Sequence, residues 1–334
     1  MTVLLPGIGA VVLVGLAAAG VLLAMRQNAY RRLFHYDPRR NCEAAFNGSQ
    51  VETHSLRCDA GGLALPEQKS GVTSALLEVD VRASIAGNWF DPAIEIGAGG
   101  FSDTIVLERG VGGVRLVNVS RLLQHNPPPV GGVTIQGHRV EWKPASAKLH
   151  VCRERPAINE RVLVIAPHPD DAEIAAFGLY ADTGATVVTI TAGDASDRYT
   201  GAGGMSVLLP RSTIARMRVW DSITVPQLGG ISPEQAINLG YPDECLDAMR
   251  REPERDFRGE GDCALDFSGL RHLNRSPHLR NGALCTWNSL VADLAHVLAA
   301  VQPSVIVTPH PWLDPHEDHL LATAAVCAAL SEAS

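Results

Sequence analysis

A short apolar run, RVLVIAP at residues 161–167, is followed by a helical segment, AEIAAFGLYADTG, and then by a second apolar run, TVVTITAG. Continuous apolar runs of this length suit strands that are buried on both faces of a parallel sheet. Strand, helix and strand in this order form a βαβ unit, so residues 160–334 are predicted to be a doubly wound, Rossmann-like α/β domain. Further along, NSLVADLAHVLAAVQP, SVIVTP and EDHLLATAAVCAALSE read as a helix, a buried strand and a closing helix.

Residues 45–155 have a different pattern. Short alternating segments such as LEVDVRASI, AIEIGAG and VRLVNVS are separated by turns rich in Gly, Pro and Asn. This spacing predicts an all-β sandwich or jelly-roll-like domain. Its aromatic residues Trp89, Phe90 and Trp142 suit either a carbohydrate-binding or partner-binding module, or the core of a domain that acts as a spacer.

Residues 1–25 contain no charged side chain and are long enough to cross a bilayer as a helix of ~20 residues. Arginines follow this segment, at positions 26, 31, 32, 39 and 40. A cleaved signal peptide would instead have basic residues before the apolar run. We therefore expect an uncleaved transmembrane anchor that contacts membrane lipid, then a basic juxtamembrane linker at 26–44. The positive-inside rule further predicts a single-pass protein of the cell membrane whose main body is cytoplasmic.

The composition excludes some classes of protein. With 28 Lys and Arg against 36 Asp and Glu, the net charge of the 334-residue chain is −8, so nucleic acid is not an expected partner. The seven cysteines include no C-x-x-C pair, which argues against a zinc ribbon or a dense disulfide framework. The sequence also lacks the G-x-S-x-G turn of serine hydrolases and a phosphate-binding glycine loop.

Two polar clusters stand where predicted strands end. His168-Pro169-Asp170-Asp171 follows RVLVIAP, and His316-Glu317-Asp318-His319 comes shortly after SVIVTP. Because sites in open parallel sheets form at the carboxyl ends of strands, we expect the clusters to meet. A catalytic zinc takes about three His or carboxylate ligands and activates water, while a carboxylate outside the ligand set accepts the water proton. Capping of the two helices is the alternative role for these residues, and spacing alone does not separate ligand from base.

At these residues the sequence resembles the PIG-L family, also called LmbE-like, of zinc de-N-acetylases. The family has H-P-D-D-x-E after a strand and H-x-D-H far downstream, which stand here at 168–173 and 316–319. The segments 239–243 (LGYPD) and 191–194 (TAGD) resemble two intermediate family motifs. The resemblance covers roughly residues 160–334, and relatives usually continue further, so the domain is expected to be truncated at its C-terminus.

The resemblance implies a role for each matching residue. It makes His168, Asp171 and His319 the zinc ligands and Asp170 the general base. His316 would stabilise the oxyanion or act as an acid, with Asp318 orienting it. Asp243 would contact the sugar, as would an arginine of the intervening helix, for which Arg218 is the best match and Arg211 and Arg216 compete.

The sequence therefore predicts a zinc-dependent N-deacetylase that acts on an N-acetylglucosamine-type sugar of a lipid-linked or cell-envelope glycan. One alternative is a membrane-tethered glycan-binding or scaffold protein with an inactive deacetylase fold. Another is hydrolysis of a different amide or ester at the same site. The polar segment 250–285 is either a disordered loop or a lid or substrate arm, for which its basic residues, Arg271 among them, would be suited.

Overall fold

The computed structural model describes residues 6–32, 37–42, 51–59, 62–64, 74–98, 100–123, 133–152, 160–200, 206–258, 265–311 and 316–332. The chain divides into two compact units, Met1–Ala157 and Ile158–Ser334.

The N-terminal unit consists of one long helix and short strands. Its described elements are α1 (Pro6–Arg31), β1 (Val51–Ser55), β2 (Arg57–Asp59), β3 (Gly62–Ala64), β4 (Ser74–Ala83), β5 (Ala93–Ala98), β6 (Phe101–Val106), β7 (Gly112–Asn118), α2 (Ser120–Leu123), β8 (Thr134–His138) and β9 (Val140–Cys152). The strands form two antiparallel sheets, in the orders β1-β9-β4-β7 and β6-β5-β8, beside the hairpin β2-β3. Alternate residues of β4, such as Leu77 and Val79, enter a core that also contains Ile94 and Ile96 of β5. This is the two-sheet arrangement that the alternating sequence pattern predicts.

The prediction for the N-terminal segment, residues 1–25, requires a correction. In the part of the chain that the structure describes, no helix is long and apolar enough to cross a membrane, so the transmembrane helix predicted for residues 1–25 is not found. Residues 1–5 of that segment lie outside the described residues. Helix α1 continues through Arg31, and its last turns are polar. There the amide of Gln27 donates to the carbonyl of Asn88 (2.7 Å), and the hydroxyl of Tyr30 accepts the backbone N–H of Arg109 (3.1 Å).

The C-terminal unit is an α/β domain. Its described elements are β10 (Val162–Ala166), α3 (Asp171–Thr183), β11 (Thr186–Thr191), β12 (Arg198–Thr200), β13 (Ser206–Leu208), α4 (Arg211–Thr224), β14 (Ala236–Tyr241), α5 (Leu246–Arg251), α6 (Phe267–Arg271), α7 (Trp287–Val301), β15 (Val305–Val307) and α8 (Glu317–Glu332). A four-stranded sheet has the order β14-β11-β10-β15, and every neighbouring pair is parallel. All residues of β10, β11 and β14 are buried, as the continuous apolar runs predict.

The parallel sheet brings distant residues to one edge. β10, β11 and β14 end at Ala166, Thr191 and Tyr241, and the next polar residues follow within a few positions. β15 leads to the second motif, which opens helix α8. Because parallel strands end at the same edge, both motifs belong to this edge of the sheet.

Most of the segment 250–285 packs on the α/β domain. Residues 259–264 lie outside the described part, but Arg271 is only 7% exposed. Its guanidinium contacts the buried carboxylate of Asp293 on α7 at 2.8 and 3.2 Å and also donates to the carbonyl of Leu239 (2.9 Å). Arg271 is therefore a structural residue of the domain, and the expectation that it offers its charge to a substrate is wrong.

Candidate metal centre

The first motif forms the turn between β10 and α3. The backbone N–H of Asp170 donates to the carbonyl of His168 (2.9 Å), and the carboxylate of Asp171 accepts the backbone N–H of His168 (2.8 Å). Gly193, in the left-handed conformation (φ +66°), lies against this turn, and a Cβ there would be 3.0 Å from two ring carbons of Pro169. The turn is thus stabilised by its own hydrogen bonds, and Gly193, two residues after β11, leaves room for the ring of Pro169.

Three side-chain atoms of the two motifs form a nearly equilateral triangle. Nδ1 of His168 lies 3.2 Å from Nε2 of His319 and 3.2 Å from Oδ2 of Asp171. Nε2 of His319 lies 3.3 Å from the same Oδ2 of Asp171. The structure therefore brings together the three residues that the resemblance implies as metal ligands.

The triangle fits the ligands of a small divalent cation. In a tetrahedral zinc site with ligand distances of ~2.0–2.1 Å, the ligand atoms stand ~3.3–3.4 Å apart. The observed separations of 3.2–3.3 Å are close to that spacing. A triangle is one face of such a tetrahedron, so a fourth position is left for water or substrate. The ring nitrogens of His168, His316 and His319 form another group whose members lie within 4.8 Å of one another.

The other ring nitrogen of His168 faces two carboxylates. Its Nε2 lies 3.0 Å from Oδ1 of Asp243 and 3.3 Å from Oδ2 of Asp318. This group also has the composition of a metal site. Metal-binding histidines typically donate their second ring N–H to a carboxylate, so the triangle on the Nδ1 side and the carboxylates on the Nε2 side are compatible.

The carboxylates around the ring of His168 favour a positive charge at this residue. Burial opposes the charged form of His168, but hydrogen bonds with Asp171, Asp243 and Asp318 outweigh it and raise the pKa of His168 to about 11. Burial also raises the pKa of Asp171, yet the hydrogen bonds with His168 and His319 hold that pKa well below its usual range. Ionised carboxylates around one imidazole are stabilised by a bound proton or by a metal cation.

Asp318 is a buried residue of the site. It is 2% exposed, and its two carboxylate oxygens accept the backbone N–H groups of Glu244 (2.9 Å) and Leu246 (3.3 Å). Its carboxylate also faces His168, whereas its link to His316 is through the backbone, since the N–H of Asp318 points at Nδ1 of His316 (3.3 Å). With Nδ1 as the acceptor, the neutral ring of His316 carries its proton on Nε2.

His316 stands at the border of the triangle. Its ring centroid lies 4.6 Å from that of His168 and 5.2 Å from that of His319. A ring with an N–H at this position can donate to an oxygen that is bound between the motifs. His316 therefore lies next to two of the three residues of the triangle.

Asp170 is separate from the ligand triangle. It precedes α3, but its side chain makes no capping hydrogen bond to that helix, so helix capping does not account for this residue. Its half-exposed carboxylate instead lies 3.1 Å from the guanidinium of Arg218 on α4. Of the other arginines considered for the substrate, Arg211 contacts Asp194.

Asp194 is the residue that sequence reasoning left without a role. It is 3% exposed, accepts the backbone N–H of Asp243 through Oδ1 (2.9 Å), and has Arg211 3.4 Å from its Oδ2. Burial raises the pKa of Asp194, although its hydrogen bond from Asp243 and the charge of Arg211 oppose this shift. Its sequence position could have indicated that it belongs to the site, because Asp194 is an acidic residue shortly after a buried strand of the same sheet.

These contacts define a candidate His and Asp metal site at the carboxyl edge of a parallel α/β sheet. The family model PIG-L, described as GlcNAc-PI de-N-acetylase, matches residues 163–330, from β10 to α8. The chain belongs to the PIG-L family, a family of de-N-acetylases, which are hydrolases. No curated protein and no solved structure matches the chain.

Proposed function

We propose that this protein is a zinc-dependent hydrolase that removes the N-acetyl group from an N-acetylglucosamine-type sugar. The observation that carries the proposal is the triangle of His168, Asp171 and His319, whose spacing suits tetrahedral zinc. Its position within the family match favours de-N-acetylation over other chemistry.

The ion and the surrounding side chains have separate tasks. When bound, zinc polarises the amide carbonyl and lowers the pKa of water. Asp170, outside the triangle and close to Arg218, accepts the proton of the attacking water. His316 donates its Nε2–H to the oxyanion that forms on the carbonyl oxygen.

The reaction is the hydrolysis of an amide. The water oxygen bonds to the carbonyl carbon, and the tetrahedral intermediate then loses the C–N bond. The proton taken up by Asp170 passes to the leaving nitrogen, so that the products are acetate and a free amine. Asp318 keeps the second motif in place, because backbone groups near β14 hold its carboxylate.

The substrate assignments are also proposals. Arg218 contacts the sugar once the substrate reaches the site, and the resemblance implies the same for Asp243. A lipid-linked or cell-envelope glycan as the substrate is a proposal from the apolar sequence of residues 1–25. A cytoplasmic location of the catalytic domain is a proposal from the arginines that follow this segment. A reporter fused to the C-terminus tests the cytoplasmic location of the catalytic domain. Much faster turnover of a soluble acetylated metabolite than of any lipid-linked glycan would contradict the substrate class.

The direct test is the release of amine and acetate by the zinc-loaded full chain. The panel contains free N-acetylglucosamine, a soluble N-acetylglucosaminide, a lipid-linked N-acetylglucosamine and an acetyl ester. We expect amine release from an N-acetyl sugar, and its loss in His319→Ala. Preferred cleavage of the ester would favour the alternative hydrolase. Binding of a glycan with no amine release would favour the glycan-binding or scaffold protein.

A further inference from the structure

Asp243 follows β14, and groups of the protein itself occupy most of the hydrogen-bonding capacity of its carboxylate. It is 9% exposed, and its Oδ1 accepts the N–H of Glu244 (2.9 Å) while lying 3.0 Å from Nε2 of His168. The backbone of Ala195 provides a further hydrogen bond to its carboxylate. A carboxylate with this many protein donors has little capacity left for sugar hydroxyls.

The backbone of Asp243 is held in turn by Asp194. The N–H of Asp243 donates to Oδ1 of Asp194, and the Nε–H of Arg211 donates to the carbonyl of Asp194. A third link joins the two strand ends, where the N–H of Ala192 donates to the carbonyl of Tyr241 (2.7 Å). Asp194 and Asp243, which we call the Asp194–Asp243 pair, therefore connect β11 and β14 directly behind His168.

We propose that the Asp194–Asp243 pair is a positioning device for the metal ligand His168. Asp243 receives the Nε2–H of His168, which leaves Nδ1 of the ring free to bind the metal, and Asp194 holds Asp243 in register. This inference rests on the proposed function, since it needs the triangle to bind metal. It assigns Asp243 to the support of a ligand, in place of the sugar contact that the resemblance implies.

Metal affinity separates the two roles, because it is measured without substrate. Zinc affinity of the full chain is determined by competition with a chromophoric chelator. Loss of a carboxylate partner of a metal-binding histidine typically lowers metal affinity by ~10–100-fold, so we expect Asp243→Ala to fall in this range and Asp243→Asn near its lower end. Asp221→Asn, an acid of α4 beside Arg218, is the matched control and should bind zinc as the parent does.

Variants of Asp194 test whether Asp194 holds Asp243 in place beside His168. Asp194→Asn keeps an oxygen for the N–H of Asp243, so its zinc affinity should stay within about threefold of the parent, whereas Asp194→Ala should lose about tenfold. Circular dichroism confirms that each variant is folded. Agreement with both expectations supports the device.

Three results would overturn the inference. Unchanged zinc affinity in Asp243→Ala and Asp243→Asn, with an increased KM, would make Asp243 a sugar contact. Equal zinc affinity in Asp194→Ala and the parent would remove Asp194 from the device. A folded parent that binds no zinc would overturn the proposed function as well, which distinguishes the two failures.

Discussion

The guanidinium of Arg218 lies 3.1 Å from the carboxylate of Asp170, an acid of the first motif that the ligand triangle does not include. The pair joins α4 to the turn that carries His168. It holds the carboxylate of Asp170 next to the ligand triangle, of which Asp170 is not a member. A general base has to lie beside the metal site without being a metal ligand, so that its carboxylate can accept the proton of the attacking water.

Asp170→Asn tests this assignment. The amide has nearly the shape of the carboxylate but cannot take up the water proton, so kcat should fall about 10²–10⁴-fold. Zinc content should not change, because the triangle is intact. Metal analysis and amine release, measured on the same preparation, check both points. A near-normal rate would remove Asp170 as the base.

Gly193→Ala tests the packing beneath the first motif. Its Cβ would lie 3.0 Å from carbons of Pro169 and 3.2 Å from Nε of Arg218, so the turn must shift, and kcat should fall at least about tenfold. Gly184→Ala is a matched control, since Gly184 has nearly the same backbone conformation (φ +64°) with open space around it. Both variants should lose roughly 1–2 kcal/mol of stability through the left-handed backbone. Equal rates in the two variants would contradict a role for Gly193 in the site.

Asp293→Ala tests the buried ion pair of the α/β domain. The change leaves Arg271 buried without its partner carboxylate, which should reduce the free energy of unfolding by about 3–5 kcal/mol. Removal of the exposed pair between Asp247 and Arg251 by Asp247→Ala should cost less than about 1 kcal/mol. Urea denaturation measures both. Similar losses in the two variants would mean that burial does not control the strength of these pairs.

Thiol labelling tests the burial of Cys245 and Cys285. Burial raises their pKa values to about 11 and about 12. The thiolate is the reactive form, and at pH 8 it makes up only about 10⁻³ of Cys245 and about 10⁻⁴ of Cys285. Both cysteines should therefore react slowly, and their rates should increase with pH up to these pKa values. Iodoacetamide should label the exposed Cys42 and Cys327 first, as followed by mass spectrometry. Labelling of Cys285 at pH 8 as fast as of Cys327 would contradict the burial.

Much of the fold was predictable from local patterns. The apolar run before His168 and the helix that ends at Gly184 are contiguous in sequence, so they indicate β10 and α3 directly. The meeting of His168 with His319 followed from one rule, that parallel strands end at a common edge.

The orientation of the His168 ring was not predictable. It depends on Asp243 and Asp318, which lie 75 and 150 residues further along the chain and reach Nε2 from β14 and α8. Which carboxylate faces which nitrogen is decided by tertiary packing, and spacing in the sequence carries no information on it. The family resemblance implied that Asp318 would orient His316, whereas the carboxylate of Asp318 faces His168.

The burial of the charged residues Arg271 and Asp293 was likewise not predictable from the sequence. Arg271 stands in a polar segment, where arginine is usually exposed, and its partner Asp293 comes 22 residues later inside an apolar helix. Only the packing of α6 on β14 and α7 reveals that the two side chains share one buried site.

The central claim is that the triangle of His168, Asp171 and His319 binds zinc. The measurement that tests it most directly is the zinc content of the folded full chain by elemental analysis, beside Asp171→Ala, His319→Ala and the control Asp221→Asn. We predict about one zinc per chain in the parent and the control, and almost none in the two ligand variants. A folded parent without zinc, or zinc retained in both ligand variants, would contradict it.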